Sequence, residues 1–217
     1  MSVACEFCTE VRGIPSRFSR LYSGYLRTRI LTETENFLVL PSLGQLGVTH
    51  LLLVSREHAT AVSSLSQQLR EELGELIRLL SWYFTKRFGL KALVFENGDP
   101  LGFGNTSCSI SHLHVHVVGV RHVSLALSES MKLFFEASHI GGLDDLRRCH
   151  TAYSYVELSG NHWLIDRQMR SQTIRRLIAG SDGSLAWNWR EVGRERKLIE
   201  IVHSMRGHLD HDTRQVA

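Results

Sequence analysis

The chain has 217 residues, of which 43% are hydrophobic and 22% are charged, values that are ordinary for a soluble globular protein. Its net charge of +3 favours ligands that carry phosphate, but this excess is far too small to predict a nucleic-acid binder. Its longest clean apolar stretches, such as residues 51–54, are much shorter than the ~20 residues that a membrane-spanning helix needs. We therefore expect neither a membrane nor a nucleic acid as a partner.

Two of the four cysteines, Cys5 and Cys8, form a Cys-x-x-Cys pair at the start of the sequence. No secretory signal is visible in residues 1–8, so we expect a cytoplasmic protein with reduced thiols, in which such a pair indicates a metal before a disulfide. Cys-x-x-Cys is a common half-site for zinc, although a lone half-site is weak evidence. A thioredoxin-like redox pair would need a preceding strand, and this pair lies too near the terminus for one.

The first half of the chain has the pattern of short strands around one long helix. Apolar residues recur at steps of three and four from Leu65 to Phe84, which predicts a helix packed on a sheet, with Ser63 or Ser64 as its N-cap. Glycines and prolines predict loops at residues 41–47 and 96–107. Short apolar or alternating segments predict strands at residues 25–31, 37–40, 48–54, 91–95 and 112–118.

The pattern changes from about residue 121, so we predict one domain at residues 1–122 and a C-terminal extension at residues 123–217 that packs on it. The extension is predicted to form a hairpin at residues 152–165, around the sequence Ser159-Gly160-Asn161. Helices are predicted at residues 131–138, 168–179 and 192–205, the second of them basic and amphipathic.

Three histidines alternate with apolar residues in the last strand of the first half. Side chains of a strand alternate between its faces, so His112, His114 and His116 are predicted to share one face, roughly 6.5–7 Å apart. A chance polar face is a poor explanation, because exposed strands favour Thr, Lys or Glu. Imidazoles in this arrangement suit metal binding or phosphoryl chemistry, since imidazole is a nucleophile near neutral pH and, when protonated, a donor to phosphate oxygens.

A small, hydroxyl-rich loop at residues 104–109 leads directly into these histidines. Its backbone N–H groups can form a nest for an anion, and the side chains of Ser107 and Ser109, on either side of Cys108, add donors. Taken alone, such a segment is more often an ordinary turn. Next to three histidines, we interpret it as a phosphate site.

The alternating histidines resemble the signature of the histidine-triad (HIT) family, His-apolar-His-apolar-His-apolar-apolar. The strands at residues 37–40 and 49–54, the histidine at His58 and the pair Asn97-Gly98 are similar to the pattern that precedes the triad in that family. The resemblance covers roughly residues 5–120. It implies an α+β fold, with a HIT-like antiparallel sheet and helices packed on one face, to which the C-terminal residues add an α/β extension.

The resemblance also implies an activity. In the family the middle histidine attacks an α-phosphate, so His114 would form a nucleotidyl-histidine, while His116 would bond the phosphate or the bridging atom and Asn97 would contact substrate. Three intact histidines imply a hydrolase of a dinucleoside polyphosphate, a phosphoramidate or another nucleotide conjugate. A nucleotidyltransferase or phosphorylase with the same intermediate stays open, as do a non-catalytic nucleotide or RNA-end binding module and a homodimeric assembly.

Zinc-bearing members of the family take one ligand after the second strand and one from the first histidine of the triad. Those positions are His58 and His112 here, so the resemblance implies a structural zinc site formed with Cys5 and Cys8. His50 competes with His58, but we expect His50 to be buried within its strand. Cys108 and Cys149 are expected to remain free thiols.

Two further features bear on the substrate. The family usually places an Asp for the ribose hydroxyls eight positions before the equivalent of His50, where this chain has Ser42; one hydroxyl is a poorer acceptor than a carboxylate, so we predict weaker selection for ribose. Residues 172–176 and 187–190 resemble an extension of larger HIT-like proteins. Arg175 and Arg176 could bind a polyphosphate there, although a solvated basic helix face explains either arginine taken alone equally well.

Overall fold

The computed structural model describes residues 5–102, 111–121, 136–167, 169–170, 172–181, 187–189 and 195–213. Their strands are β1 (Thr32–Glu33), β2 (Phe37–Pro41), β3 (Thr49–Ser55), β4 (Lys91–Gly98), β5 (His114–Val120), β6 (Ser138–Ile140), β7 (Tyr153–Leu158) and β8 (Asn161–Ile165). Their helices are α1 (Glu6–Val11), α2 (Gln67–Phe88), α3 (Thr173–Ser181) and α4 (Glu195–Thr213). All eight strands form one antiparallel sheet in the order β1-β2-β3-β5-β4-β7-β8-β6, which confirms the predicted α+β class.

The register of β3 against β5 places the central histidines. Val54 lies opposite His114 and Leu52 lies opposite His116, so these four side chains share one face of the sheet. Every residue of β3 is buried, because this strand lies between β2 and β5 and has helices over both of its faces.

Helices cover both faces of the sheet, so the expectation that they lie on one face is wrong. On one face, α2 and α4 share a core with the apolar residues of β3 and β5 that point away from the histidines. On the other face, α3 packs against β4 and β7, while Phe7 of α1 and Phe18 pack against β2 and β3. The physical reason is that every residue of β3 and β5 is buried, so both faces of these strands need cover, part of which the C-terminal residues supply.

Helix α2 confirms the predicted amphipathic helix with shifted ends. Its N-cap is Ser66, whose Oγ accepts a hydrogen bond from the Leu69 N–H at 3.3 Å. The predicted caps, Ser63 and Ser64, instead belong to a short 3₁₀ turn before the helix. The helix ends at Gly89, whose φ of +63° is the left-handed conformation that glycine adopts without strain.

Two strand predictions need correction. Residues 25–31 form no strand, because the guanidinium of Arg206 donates to the carbonyl groups of Thr28 and Ile30, which a partner strand would otherwise use. Strand β4 runs to Gly98 and not to residue 95, because β7 pairs with it as far as the Gly98–Tyr153 position. The other strands of the first half lie where they were predicted, within two residues.

The sheet continues through the C-terminal residues. The predicted hairpin is present as β7 and β8, and β7 pairs directly with β4, so hydrogen bonds cross the predicted boundary at residue 122. The division into two domains therefore stays a prediction. The helix predicted at residues 131–138 lies outside the described residues up to residue 135, and Ser138 begins β6. No helix in the described ranges is long and apolar enough to cross a membrane.

Candidate active site and metal centre

His114, the first residue of β5, has its ring oriented by the backbone. Its Nδ1 donates a hydrogen bond to the carbonyl oxygen of His112 at 2.6 Å, which fixes the tautomer with the proton on Nδ1 and the lone pair on Nε2. The ring lies against Phe7, with 5.2 Å between the ring centroids, and the residue is 8% exposed. A neutral imidazole held in this tautomer carries its lone pair on Nε2 and is a nucleophile in a defined orientation.

His116 lies two positions further along the same face and is oriented by two other rings. Its Nδ1 is 2.8 Å from Nε2 of His50, a residue of β3, so one proton is shared between these two nitrogens. Its ring stacks on Phe95 of β4 with 4.1 Å between centroids and an interplanar angle of 4°. These contacts leave Nε2 of His116 as the ring nitrogen for substrate, and that atom is a donor when Nδ1 accepts from His50.

Both members of this histidine pair are neutral at ordinary pH. Burial is the largest cause that holds the pKa of His50 well below its usual value, and the positive charge of Arg175 is the next. Burial likewise lowers the pKa of His116, followed by the proximity of His50 and His114. The pair therefore exchanges a hydrogen bond without carrying a permanent charge.

The four predicted metal ligands come together at the edge of this site. One donor atom from each of Cys5, Cys8, His58 and His112 lies within 4.8 Å of the others. Nδ1 of His112 is 3.3 Å from Sγ of Cys5 and 3.5 Å from Sγ of Cys8, and Nδ1 of His58 is 3.2 Å from Sγ of Cys8.

These distances fit zinc. A tetrahedral zinc with bonds of about 2.3 Å to sulfur and about 2.0 Å to nitrogen separates its S and N ligands by about 3.5 Å. Nε2 of His112 also donates to the carbonyl oxygen of Ser55 at 2.9 Å, which keeps Nδ1 deprotonated for a metal. Two thiolates and two imidazoles fill a tetrahedral shell, so the donor set suits a structural ion.

The prediction that His112 lies in the strand is wrong. It precedes β5 in a bend, where the alternation of a strand does not apply, and its ring turns towards α1, with Phe7 at 5.6 Å and His58 at 5.0 Å between centroids. His114 and His116 do share a face, as predicted. His50 lies outside the cysteine cluster and contacts His116, so the structure favours His58 over His50 as the third ligand.

A buried ion pair anchors the helix that carries the cysteines. The guanidinium of Arg29 donates through Nε and Nη2 to the carboxylate of Glu10, at 2.8 and 2.7 Å, and the Tyr22 hydroxyl donates to the same carboxylate. Nη1 of Arg29 donates to the carbonyl oxygen of Pro41. The network thus connects α1 to the loop that follows β2, and no pattern in the sequence singled it out.

Ser42 begins that loop and lies beside the buried histidine of β3. Its N–H donates to the carbonyl oxygen of His50 at 2.9 Å, and the side-chain amide of Gln45 donates to the carbonyl oxygens of both residues. The amide oxygen of Gln45 accepts from the His50 N–H at 2.9 Å, which closes the loop. Ser42 is therefore held by backbone hydrogen bonds beside His50.

The remaining predicted substrate residues differ in what the structure shows. The Ser154 hydroxyl donates to Oδ1 of Asn97 at 2.7 Å, a contact that uses the amide oxygen and not the N–H groups. Arg176 is exposed, with its guanidinium 3.9 Å above the ring of Trp187, whereas Arg175 is 5% exposed and donates to backbone carbonyl groups. The predicted phosphate residues Ser107, Cys108 and Ser109 lie outside the described residues.

Comparison with known proteins decides the family. The model of the family described as "Scavenger mRNA decapping enzyme C-term binding" matches residues 16–132, just over half of the chain. The chain belongs to this family. A relative described as an uncharacterized HIT-like protein, from Chlamydia muridarum (strain MoPn / Nigg), is 29% identical over 124 residues, which cover 55% of this chain and 94% of the relative. The resemblance to the histidine-triad family is thereby confirmed.

Two solved structures that match part of this chain have histidine-triad names. A HIT family hydrolase from Legionella pneumophila Philadelphia 1 is 24% identical, with 56% of this chain and 96% of that chain covered at a TM-score of 0.39. A zinc-bound histidine triad family protein from Mycobacterium smegmatis is 18% identical, with 56% and 78% covered at a TM-score of 0.40.

Proposed function

We propose that this protein cleaves a nucleotide at its α-phosphate through a covalent intermediate on His114. The observation that carries the proposal is the hydrogen bond from Nδ1 of His114 to the His112 carbonyl, because it orients the ring so that Nε2 can act as the nucleophile. Membership of a family whose name refers to an mRNA decapping enzyme supports a nucleotide conjugate as the substrate.

The reaction would proceed in two steps. First, Nε2 of His114 forms a bond to the α-phosphorus while the bond from phosphorus to the leaving group breaks; the departing group accepts a hydrogen bond from the Nε2–H of His116 and takes its proton from solvent. Water then attacks the same phosphorus, releases one proton to solvent, and frees the nucleoside monophosphate as the bond to His114 breaks. One water is consumed, and both histidines end in their starting protonation states.

This cycle assigns the proton between the two buried histidines. His116 must carry its proton on Nε2 to donate a hydrogen bond to the departing group, so its Nδ1 would accept from Nε2 of His50. Phe95 adds orientation, since a stacked ring restricts rotation of the His116 imidazole. The stabilisation of charge on the phosphate would fall to the backbone of residues 104–109 together with Ser107 and Ser109.

The nucleoside would lie against the loop after β2, with Ser42 at the ribose and Asn97 as a donor on the neighbouring strand. Zinc on Cys5, Cys8, His58 and His112 would stabilise the position of α1 and of the bend before His114, and it would take no part in the chemistry. A nucleotidyltransferase would use the same intermediate with another acceptor in place of water. A cytoplasmic location and a homodimeric assembly stay predictions.

Trapping the intermediate tests the proposal. The protein would be mixed with a panel of labelled substrates, namely a dinucleoside polyphosphate, a nucleoside phosphoramidate, a cap dinucleotide and a nucleoside diphosphate, then quenched in mild base and digested. Mass spectrometry should find a nucleotidyl group on the peptide that contains His114, and none in the His114→Ala variant. Turnover of any of these substrates by folded His114→Ala protein at the wild-type rate would refute the covalent mechanism.

A further inference from the structure

The loop between β2 and β3 is attached to the C-terminal part of the chain by two cations. Nη2 of Arg175, in α3, donates to the carbonyl oxygen of Gly44 at 2.6 Å, and Nζ of Lys197, in α4, donates to the carbonyl oxygen of Gly47 at 2.5 Å. Together with the bond from Arg29 to the Pro41 carbonyl, both ends and the middle of this loop accept from a positively charged side chain. Such charge-assisted bonds to backbone oxygens are among the stronger hydrogen bonds in proteins.

Arg175 also connects the loop to residues 187–189. Its Nε donates to the carbonyl oxygen of Trp187 at 3.0 Å. One guanidinium therefore joins Gly44 to Trp187, which are more than 130 positions apart in the sequence. Trp189 packs directly on Gly44, where an added Cβ would overlap both the Cβ and the Cα of the tryptophan. Glycine at position 44 is therefore required by the close approach of the two backbones.

The same loop orients the residues of the proposed substrate site. The Ser42 N–H and the Gln45 amide both bond the backbone of His50, and His50 in turn contacts His116 at 2.8 Å. A displacement of the loop would therefore move Ser42 and loosen the hydrogen-bonded pair of histidines. Arg175 lies behind this arrangement and is 5% exposed.

We propose that Arg175 is a positioning residue that fixes the loop at residues 42–47 for nucleoside binding, so that the C-terminal part of the chain completes the substrate site. This inference rests on the proposed function, because it takes that loop as the one that contacts the ribose. It replaces the expectation that Arg175 binds a polyphosphate. The guanidinium is buried and two of its nitrogens already donate to the backbone, whereas its neighbour Arg176 is exposed.

Two ligand series separate a positioning role from a phosphate-binding role. The wild type, Arg175→Met and Arg175→Lys would be titrated calorimetrically with a nucleoside, its monophosphate and its triphosphate, with Arg176→Met as the matched control on the same helix. We expect Arg175→Met to weaken all three ligands by the same factor, roughly tenfold. Arg175→Lys, which can keep only the bond to Gly44, should recover part of the loss, and Arg176→Met should leave nucleoside binding unchanged. A loss in Arg175→Met that grows with each added phosphate, and is absent for the nucleoside, would overturn the proposal.

A second measurement needs no ligand and guards against a general loss of stability. Hydrogen–deuterium exchange followed by mass spectrometry reports local opening of the backbone. Arg175→Met should lose protection in peptides that span residues 42–50 and keep it in α2. Lys197→Met, at a half-buried position of α4, should show the same loss in milder form. Unchanged exchange of residues 42–50 in Arg175→Met overturns the proposal, as does loss of protection spread evenly over the whole chain. If the wild type formed no adduct on His114, only the proposed function would be contradicted. Hydrogen–deuterium exchange measures the opening of residues 42–50 whether or not the protein turns over a substrate.

Discussion

The imidazoles of His50 and His116 meet nitrogen to nitrogen in the core, with 2.8 Å between Nε2 of the first and Nδ1 of the second. Two buried histidines can share this contact only if one donates and the other accepts, so the state of His50 determines which nitrogen of His116 carries a proton. Since burial lowers the pKa of both residues, the pair stays neutral and the choice of tautomer persists over the working range of pH. In the proposed mechanism, His50 would therefore act on the chemistry through His116.

Replacement of His50 should slow the chemical step while it spares binding. In His50→Ala the proton of His116 is free to move to Nδ1, and the leaving group loses its donor in most molecules. We expect kcat to fall roughly 10-fold to 100-fold, as for partial loss of a hydrogen-bond donor to the transition state, with little change in KM. The nitrogen-15 chemical shifts of His116 give the direct measurement: Nε2 should be protonated in the wild type and not in the variant. A wild-type protein with the proton on Nδ1 of His116 would contradict this assignment.

Loss of the nucleophile should be far more severe. His114→Ala should lower kcat on the order of 10⁴-fold or more, because a group that forms the bond contributes mainly after the ground state. Zinc content, melting temperature and product affinity should stay close to those of the wild type, since His114 is not one of the four clustered donors and its loss leaves the strand pairing in place. Kinetics on the substrate found by the adduct screen, with circular dichroism as the control for folding, provide the measurement. His116→Ala should lie between these two variants.

Zinc should be measured as about one ion per chain, because the four donor atoms form one tetrahedral set. Cys5→Ser and Cys8→Ser should each lower both zinc content and melting temperature, and a chelator should lower the melting temperature of the wild type to a similar value. His58→Ala should lose zinc, whereas His50→Ala should retain it. If elemental analysis found one zinc per chain in the Cys5→Ser/Cys8→Ser double variant, the proposed zinc site would be wrong. If His50→Ala lost zinc and His58→Ala kept it, His50 would be the third ligand.

Local patterns in the sequence were enough to predict the central strands, the long helix and the two histidines of β5 on one face. Alternation fixes a strand and its faces, and this information lies within a few residues. The bend at His112 was not predictable in the same way. Its ring contacts Cys5 and Cys8, at the start of α1, and these cysteines are more than a hundred positions away from His112 in the sequence.

Contacts between distant segments account for the remaining differences. The pairing of β7 with β4 extends β4 to Gly98. No pattern within residues 91–98 predicts that a strand beginning at Tyr153 pairs with them. Burial of Arg29 was equally hidden, since an arginine in a sequence predicts an exposed side chain unless its carboxylate partner is known. Likewise, the basic helix face predicted around Arg175 proved to be divided between one buried and one exposed arginine.

Ser42 should make the protein less demanding about ribose hydroxyls than a carboxylate would. Ser42→Asp is expected to bind ribonucleoside monophosphates several-fold more tightly, because a carboxylate accepts from both hydroxyls with charge-assisted bonds. Deoxyribonucleoside monophosphates should gain nothing, so the ratio of the two affinities is the quantity to measure. The matched control is Ser42→Asn, which is similar in size to the aspartate and uncharged. If the wild type already prefers the ribonucleotide strongly, the role given to this position is wrong.

Glu96 should make stability depend on pH in a direction opposite to that of most carboxylates. Its side chain is buried in β4 and accepts from the Tyr153 hydroxyl at 2.6 Å and from the Val62 N–H at 2.7 Å. Burial outweighs these bonds and raises the pKa of Glu96 to about 7 from its ordinary 4.5. The protonated form is therefore favoured by the fold, and its stabilising contribution is complete below pH 4.5 and is lost as pH rises towards about 7.

Glu96→Gln removes this dependence while it preserves the shape of the side chain. The variant should gain stability relative to the wild type as pH rises from 5 to 8, by at most about 3 kcal/mol, because one pKa unit corresponds to about 1.4 kcal/mol. Melting temperatures of the two proteins, measured in parallel, cancel the contributions of the histidines and of zinc, which both proteins share. Glu75→Gln, at an exposed position of α2, controls for the change in net charge. A difference between Glu96→Gln and the wild type that is constant over this range would show that Glu96 is ionised in the fold throughout it.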